Sequence, residues 1–229
     1  MVEVKNIEVF NIERAIKAIN NSYNTGEINT LGTPSDKLFS TAKVLGSNMD
    51  AHQSHDAYLK GILVSFDIKL NLVIQPELQR SHFFEIIMQQ SRMHSMEKFM
   101  NAEFDPFTKY VSQNTRDEAK KNYKAWRNAK EKLKQYYDEN KDNIDEKTAI
   151  KLNNDVYTSF EILIHNLPCG IELWATCSTN YLQLKTIVIQ RFHHKNKEDW
   201  GALIEACYLM PHFRELCGFN NKKWDLGNW

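Results

Sequence analysis

The sequence predicts a single α+β domain over residues 1–229, a twisted, mainly antiparallel sheet flanked by helices. Three observations carry this. Residues 62–74, ILVSFDIKLNLVI, set Ile62, Val64, Phe66, Ile68, Leu70, Leu72 and Ile74 in alternation with Ser65, Asp67, Lys69 and Asn71. Period two over that length buries one face of a strand and leaves the other polar. Residues 169–179, CGIELWATCST, alternate in the same way. Around them run stretches of helical spacing, the longest over 115–140, and no repeat, low-complexity linker or composition break divides the chain.

In chain order, VEVKNIEV (2–9) reads as a short strand, and IERAIKAINNSY as a helix with Ile12, Ala15, Ile16 and Ile19 on one face. Thr33 as N-cap and Pro34 at the first helical position open the next helix, and Gly46 stops it. After strand 62–74, Pro76 signals another helix start, and QRSHFFEIIMQQSRM (79–93) is expected to continue as an amphipathic helix. Strand into helix is a common place for a ligand in α/β proteins. The charged segment 115–140 carries an apolar stripe through Ala119, Tyr123, Trp126, Leu133 and Tyr136 or Tyr137. A helix over roughly 145–166 leads to Leu167-Pro168. Ser178 or Thr179 then caps the helix NYLQLKTIVIQRF, and a last helix over about 197–209 is stopped by Pro211. The tail NNKKWDLGNW, with two tryptophans, is expected to dock on the body or on a neighbour.

Composition narrows the function classes. Lys+Arg and Asp+Glu balance at 29 each, so nothing global points to nucleic acid or an anionic membrane, and an anion site must be local. No window approaches the roughly 18 apolar residues of a membrane span. The N-terminus carries acidic residues and no uninterrupted apolar run, unlike a signal peptide, which makes a cytoplasmic protein the expectation. Cys169, Cys177, Cys207 and Cys217 form no CxxC pair and read as reduced thiols. The basic, aromatic helix 115–140 suggests single-stranded nucleic acid, but its interspersed acids and helical aromatic stripe favour packing on the body or a partner.

Candidate site residues fall into small groups. Arg80, His82 and Arg92 follow the clearest strand, and arginine offers a planar fork to phosphate or ring carbonyls. Their alternative reading is three polar residues on the wet face of a helix. Asn180 and Arg191 stand eleven residues apart, about three helical turns, hence on one face about 16 Å apart. Here the alternative is a helix-start Asn and an Arg answering the helix dipole. His52 and His55 share helical spacing without further ligands, and His193-His194 point apart, so no metal is expected. No dinucleotide, P-loop or nucleophile-elbow motif is present.

Laid out in order, these segments resemble the flavin-dependent thymidylate synthases. That family's signature, Arg-His-Arg-x-x-Ser-x-Asn-Glu-x-Ser-x-Arg-Tyr, follows a strand of this kind and falls without gaps on RSHFFEIIMQQSRM. Arg80 and Arg92 match its first and last arginines. Ser54-His55 stands where the family has Gly-His, and Leu167-Pro168 matches its Leu-Pro. Asn180 and Arg191 match its Asn and Arg at the same separation, and Trp200 lies near its later Trp.

The resemblance implies a homotetramer binding FAD, with a one-carbon unit passing from methylenetetrahydrofolate to C5 of dUMP and NADPH supplying electrons. Carried over, Arg80, His82, His55 and Asn180 hold flavin. Arg191 is the catalytic residue facing the nucleotide ring, and Arg92 and Gln90 join it in binding the pyrimidine deoxynucleotide. A guanidinium beside a pyrimidine carbonyl stabilises enolate-like charge during attack at C5. Trp174, Phe83 and Tyr181 are stacking candidates. The departures are specific. Met88 and Gln90 replace the family's acidic and serine residues, and Ile164 stands where it has a phosphate-binding arginine. Each lost charge-assisted contact costs about 1.5–3 kcal/mol, tenfold or more in affinity. Either His165 or Lys185 compensates, or the substrate differs, or the chain is a catalytically degenerate homologue serving as a nucleotide-binding or assembly protein.

Overall fold

The computed structural model describes residues 2–47 and 54–220. Its elements begin with β1 (Glu3–Phe10), α1 (Ile12–Ala18), a 3-10 turn (Ile19–Ser22), α2 (Asp36–Gly46), a 3-10 helix (Ser54–Gly61) and β2 (Leu63–Asn71). Then come α3 (Gln75–Gln79), β3 (Glu85–Gln89), α4 (Met96–Met100), α5 (Gln113–Glu139) and α6 (Glu146–His165). The chain closes with β4 (Glu172–Asn180), α7 (Tyr181–Arg191), α8 (Lys197–Leu209) and α9 (Phe213–Leu216). This is the α+β class the alternation predicts. The contacts divide it into two compact units, residues 1–70, 74–89 and 174–229, and residues 71–73 and 90–173.

The first unit is built on the sheet, in the order β1-β2-β4-β3. β1 pairs antiparallel with β2, and β3 antiparallel with β4. Contacts from Ser65 Oγ to the Cys177 carbonyl and from Thr176 Oγ1 to Asp67 Oδ1 match rising numbers on β2 with falling numbers on β4, so the central pair is antiparallel too. The period-two pattern of β2 holds: Val64, Phe66, Ile68 and Leu70 are buried, and Asp67 faces the polar side. There Asp67 accepts from Asn6 Nδ2 and Thr176 Oγ1, both at 2.7 Å, which joins three strands and holds its carboxyl below the ordinary range. Over the other face pack α7 and α8, contributing Leu184, Ile187, Val188, Trp200, Leu203 and Ile204 to one continuous core.

Segment 79–93 departs from expectation. The helix announced by Pro76 lasts only five residues, and Glu85–Gln89 is a strand at the edge of the sheet. Helical spacing of apolar residues is cheap to satisfy by chance in so short a stretch. Here β-branched Ile86 and Ile87 and an antiparallel partner in β4 decide the outcome. Two helix caps also move. Ser35 caps α2 through Leu38 N in place of Thr33. Asn180 caps α7 in place of Ser178 or Thr179, its side chain accepting from Gln183 N at 2.9 Å.

In the second unit α5 and α6 form a hairpin, with Trp126 against Phe160 at 5.2 Å between ring centroids. Ser112 and Asp145 cap the two helices. Ala119 and Tyr123 enter a core with Met96, Phe99, Leu163 and Ile171, and Tyr136 bonds both backbone groups of Asp145. The aromatic stripe is therefore largely spent on packing, as the interspersed acids suggested. No helix among the described residues is long and apolar enough to cross a membrane. Residues 221–229, most of the tail expected to dock, lie outside the described residues, as does His52.

One buried charge ties the first unit together. Lys185, on α7, is 2% exposed, and its ammonium donates to Asp56 Oδ2 at 2.7 Å and to the Gly46 carbonyl at 2.8 Å. Gly46 is obligatory, because a Cβ there would overlap the Leu216 carbonyl and press on the Tyr58 hydroxyl.

We expect Lys185→Met to lower unfolding free energy by about 3–5 kcal/mol in urea titrations, since it strands the Asp56 carboxylate. Lys185→Met/Asp56→Leu should recover a large part of that loss. Burial also pushes Cys177 and Cys207 up to about 12 and raises Cys217. In native protein at neutral pH, iodoacetamide should therefore modify exposed Cys169 and spare the other three, as read by mass spectrometry.

Candidate functional site

The site grows from a tight turn between α3 and β3. Ser81 N donates to the Leu78 carbonyl and Phe84 N to the Ser81 carbonyl, which reverses the chain within a few residues. Phe83 takes a φ of 61°, unusual for a bulky side chain, and stands 65% exposed. Phe84 turns inward, edge-on to Phe66 at 5.9 Å. Gln75 and Gln89 exchange two amide hydrogen bonds, at 2.8 and 2.9 Å, and so close α3 back onto β3.

The turn encloses a recess of 390 Å³ lined by Gln79, Arg80, Ser81, His82, Phe84 and Glu85, among others. Arg80 and His82 are exposed on it, and neither makes an ion pair among the described residues. A guanidinium and an imidazole left available at such a rim suit phosphate or ring-carbonyl groups. That is the fit required of residues meant to hold flavin.

The β3–β4 register sets what lies nearby. Glu85 stands opposite Ser178, so the turn lies off the end of β4 at which Asn180 caps α7. Arg80, His82 and Asn180 are thereby brought to one end of the sheet. Asn180 is buried, its carbonyl oxygen already used by the cap. His55 is exposed on the 3-10 helix Ser54–Gly61, next to Asp56, which packs on α7 through Lys185.

Arg191 occupies the other end of α7. Its Nη1 lies 3.0 Å from Glu77 Oε2, and its guanidinium carbon 4.6 Å from the centre of the Trp200 ring. His194 Nε2 lies 3.7 Å from the same Glu77 oxygen. Glu77, one turn before Arg80, escapes sequence reading altogether, because an acid in the first turn of a five-residue helix looks like any dipole-complementing residue. A Glu three residues before the first signature arginine was the only signal.

Gln90 and Arg92 belong to the second unit, Gln90 exposed and Arg92 half-buried. Lys185 is committed to Asp56 and Gly46, which removes it as a phosphate ligand. His165 stays exposed beside Glu161 on α6. Tyr181 is core, its hydroxyl donating to the Pro211 carbonyl at 2.6 Å, so it is no stacking platform. Trp174 lies under the ammonium groups of Lys5 and Lys69, at 5.1 and 5.8 Å. On β3, Ile87 and Met88 are 59% and 73% exposed, so the apolar substitutions of the signature stand in the open.

No family model matches the sequence, and no curated protein matches it either. Solved structures do. Thymidylate synthase X of Helicobacter pylori, determined with FAD and dUMP, matches over 96% of this chain and 100% of its own, with a TM-score of 0.58 and 15% identity. A second structure of the flavin-dependent enzyme from that organism, also with FAD and dUMP, matches over 94% and 97%, with a TM-score of 0.57 and 17% identity. The UMP/dUMP methylase PolB of Streptomyces cacaoi, bound to 5-Br dUMP, matches over 95% and 92%, with a TM-score of 0.52 and 11% identity. The chain has the fold of the flavin-dependent thymidylate synthases.

Proposed function

We propose that this chain is a FAD-dependent enzyme that transfers a one-carbon unit to C5 of a pyrimidine deoxynucleotide, with dUMP as substrate. The observation that carries the reading is a shared fold, over 96% and 94% of this chain, with proteins solved with FAD and dUMP bound. The recess at the α3–β3 turn, with Arg80 and His82 exposed at its rim and in no ion pair among the described residues, supports it from this chain's own residues. Methylenetetrahydrofolate is the proposed carbon donor and NADPH the reductant, in a cytoplasmic homotetramer whose 229-residue chains each act as one domain.

When bound, FAD supplies the electrons of the transfer. Arg80 and His82 bind its phosphate or carbonyl oxygens through charge-assisted hydrogen bonds, with His55 beside them. Asn180 fixes the start of α7 and offers its amide N–H groups at the same end of the sheet. Arg191 would polarise a pyrimidine carbonyl and stabilise enolate-like negative charge on its oxygen, which makes C5 nucleophilic, while Arg92 and Gln90 hold the nucleotide.

A second reading is favoured by exposed Ile87 and Met88 and by the pairing of Arg191 with Glu77: a homologue that binds nucleotide without turnover. One set of measurements separates the two. Purified protein incubated with FAD and freed of excess should show flavin absorbance, and Arg80→Ala should weaken FAD binding about tenfold or more. With dUMP, methylenetetrahydrofolate and NADPH, mass spectrometry should find thymidylate. Flavin or dUMP binding without product selects the second reading, and a colourless protein that binds neither defeats both.

A further inference from the structure

Four side chains meet at the end of α7, and their order of contact is informative. Arg191 is 23% exposed, and its Nη1 is held 3.0 Å from Glu77 Oε2. Its cationic carbon lies 4.6 Å from the centre of the Trp200 ring, within cation–π range, and Trp200 is itself 1% exposed and fixed in the core. His194 Nδ1 accepts from Asn196 N at 3.1 Å. A neutral ring that accepts at Nδ1 carries its proton on Nε2, the nitrogen 3.7 Å from Glu77 Oε2. Trp200 and His194 also touch edge to face at 5.8 Å. Glu77 Oε2 is buried without a hydrogen-bond partner, within ion-pair distance of Arg191 and 3.7 Å from the His194 ring, and α3 is anchored in turn by the paired amides of Gln75 and Gln89.

We propose that Glu77 is a positioning residue, which with Trp200 presets the Arg191 guanidinium so that its remaining N–H groups form a fixed donor edge for an uncharged ring carbonyl. A guanidinium has five N–H donors in a rigid plane, and one carboxylate contact leaves most of them for a ligand. The pair is close to neutral as a whole. Beside Glu77 a phosphate would meet repulsion as well as attraction, whereas a carbonyl oxygen asks only for directed donors. A guanidinium already fixed also loses less side-chain entropy when the ligand arrives. This rests on the nucleotide-binding reading above for the identity of the ligand, but the presetting itself is a property of the free protein.

The test uses the full chain. Side-chain NMR of the arginine guanidinium groups, with Arg191→Lys identifying the signal, should show slow rotation for Arg191 in the wild type and fast rotation in Glu77→Gln. Circular dichroism should show the fold unchanged, and Glu77→Asp, which keeps the charge but withdraws it, serves as a second variant with intermediate rotation. The dUMP dissociation constant at saturating FAD should rise about tenfold in Glu77→Gln, and Arg191→Lys should add little to it in the double variant. Arg191 rotating as freely in the wild type as in Glu77→Gln overturns the proposal. Rotation that changes while dUMP affinity does not overturns the donor-edge role. A wild type that holds Arg191 rigid yet binds no nucleotide sinks the proposed function and upholds the presetting.

Discussion

An ammonium in a protein core is tolerable only where acceptors converge on it, and that of Lys185 finds both a carboxylate and a helix-end carbonyl within 2.8 Å. The Gly46 carbonyl is among those left over at the C-terminus of α2, and Asp56 belongs to the 3-10 helix before β2. One side chain on α7 therefore fixes two segments that are distant in sequence. Such a contact is demanding in geometry and weak as a net source of stability, so its effect is to specify one arrangement. It sets α7 against the 3-10 helix carrying His55. Since α7 also carries Asn180 and Arg191 at its two ends, the placement of His55 relative to both of them passes through it.

The α3–β3 turn is positioned by a different force, the ladder between β3 and β4. Its register breaks between Ile86 and Met88, so Ile86 stays with the core while Met88 stands beside Thr176 on the polar face. A bulge at an edge strand re-aims the side chains beyond it. The apolar residues of the signature thus have two fates. Phe84 and Ile86 stabilise the sheet, whereas Ile87 and Met88 contribute nothing to the core.

The long-range pattern was legible where one period ran unopposed. β2, α5 and α6 follow their alternation or their stripe closely, because burial of one face outweighs local preference. Segment 79–93 was not legible: five apolar residues interrupted only by Glu85 satisfy a helix or a strand equally, and only the partner strand, some ninety positions away, decides. Asn180 and Arg191 were visible as a pair by spacing alone, and of the alternatives it is the helix-start role of Asn180 that the structure displays. Glu77 and Asp56 remained hidden, because the value of an acid depends on which base folds against it.

Residues that have a structural occupation and residues that have none carry unequal weight for function. Asn180 caps a helix and Arg191 closes an ion pair over a tryptophan, so the fold alone gives each a reason to be there. Arg80 and His82 have no such reason: among the described residues they are exposed, unpaired and carried on a turn strained at Phe83. Unusual backbone geometry is retained where something beyond folding draws on it. An arginine with no ion-pair partner among the described residues points to a ligand more strongly than one that matches a motif while serving the core. The case for an anionic ligand in this fold therefore rests first on Arg80 and His82, and the case for chemistry on what Arg191 can still do once Glu77 has taken its share of the guanidinium.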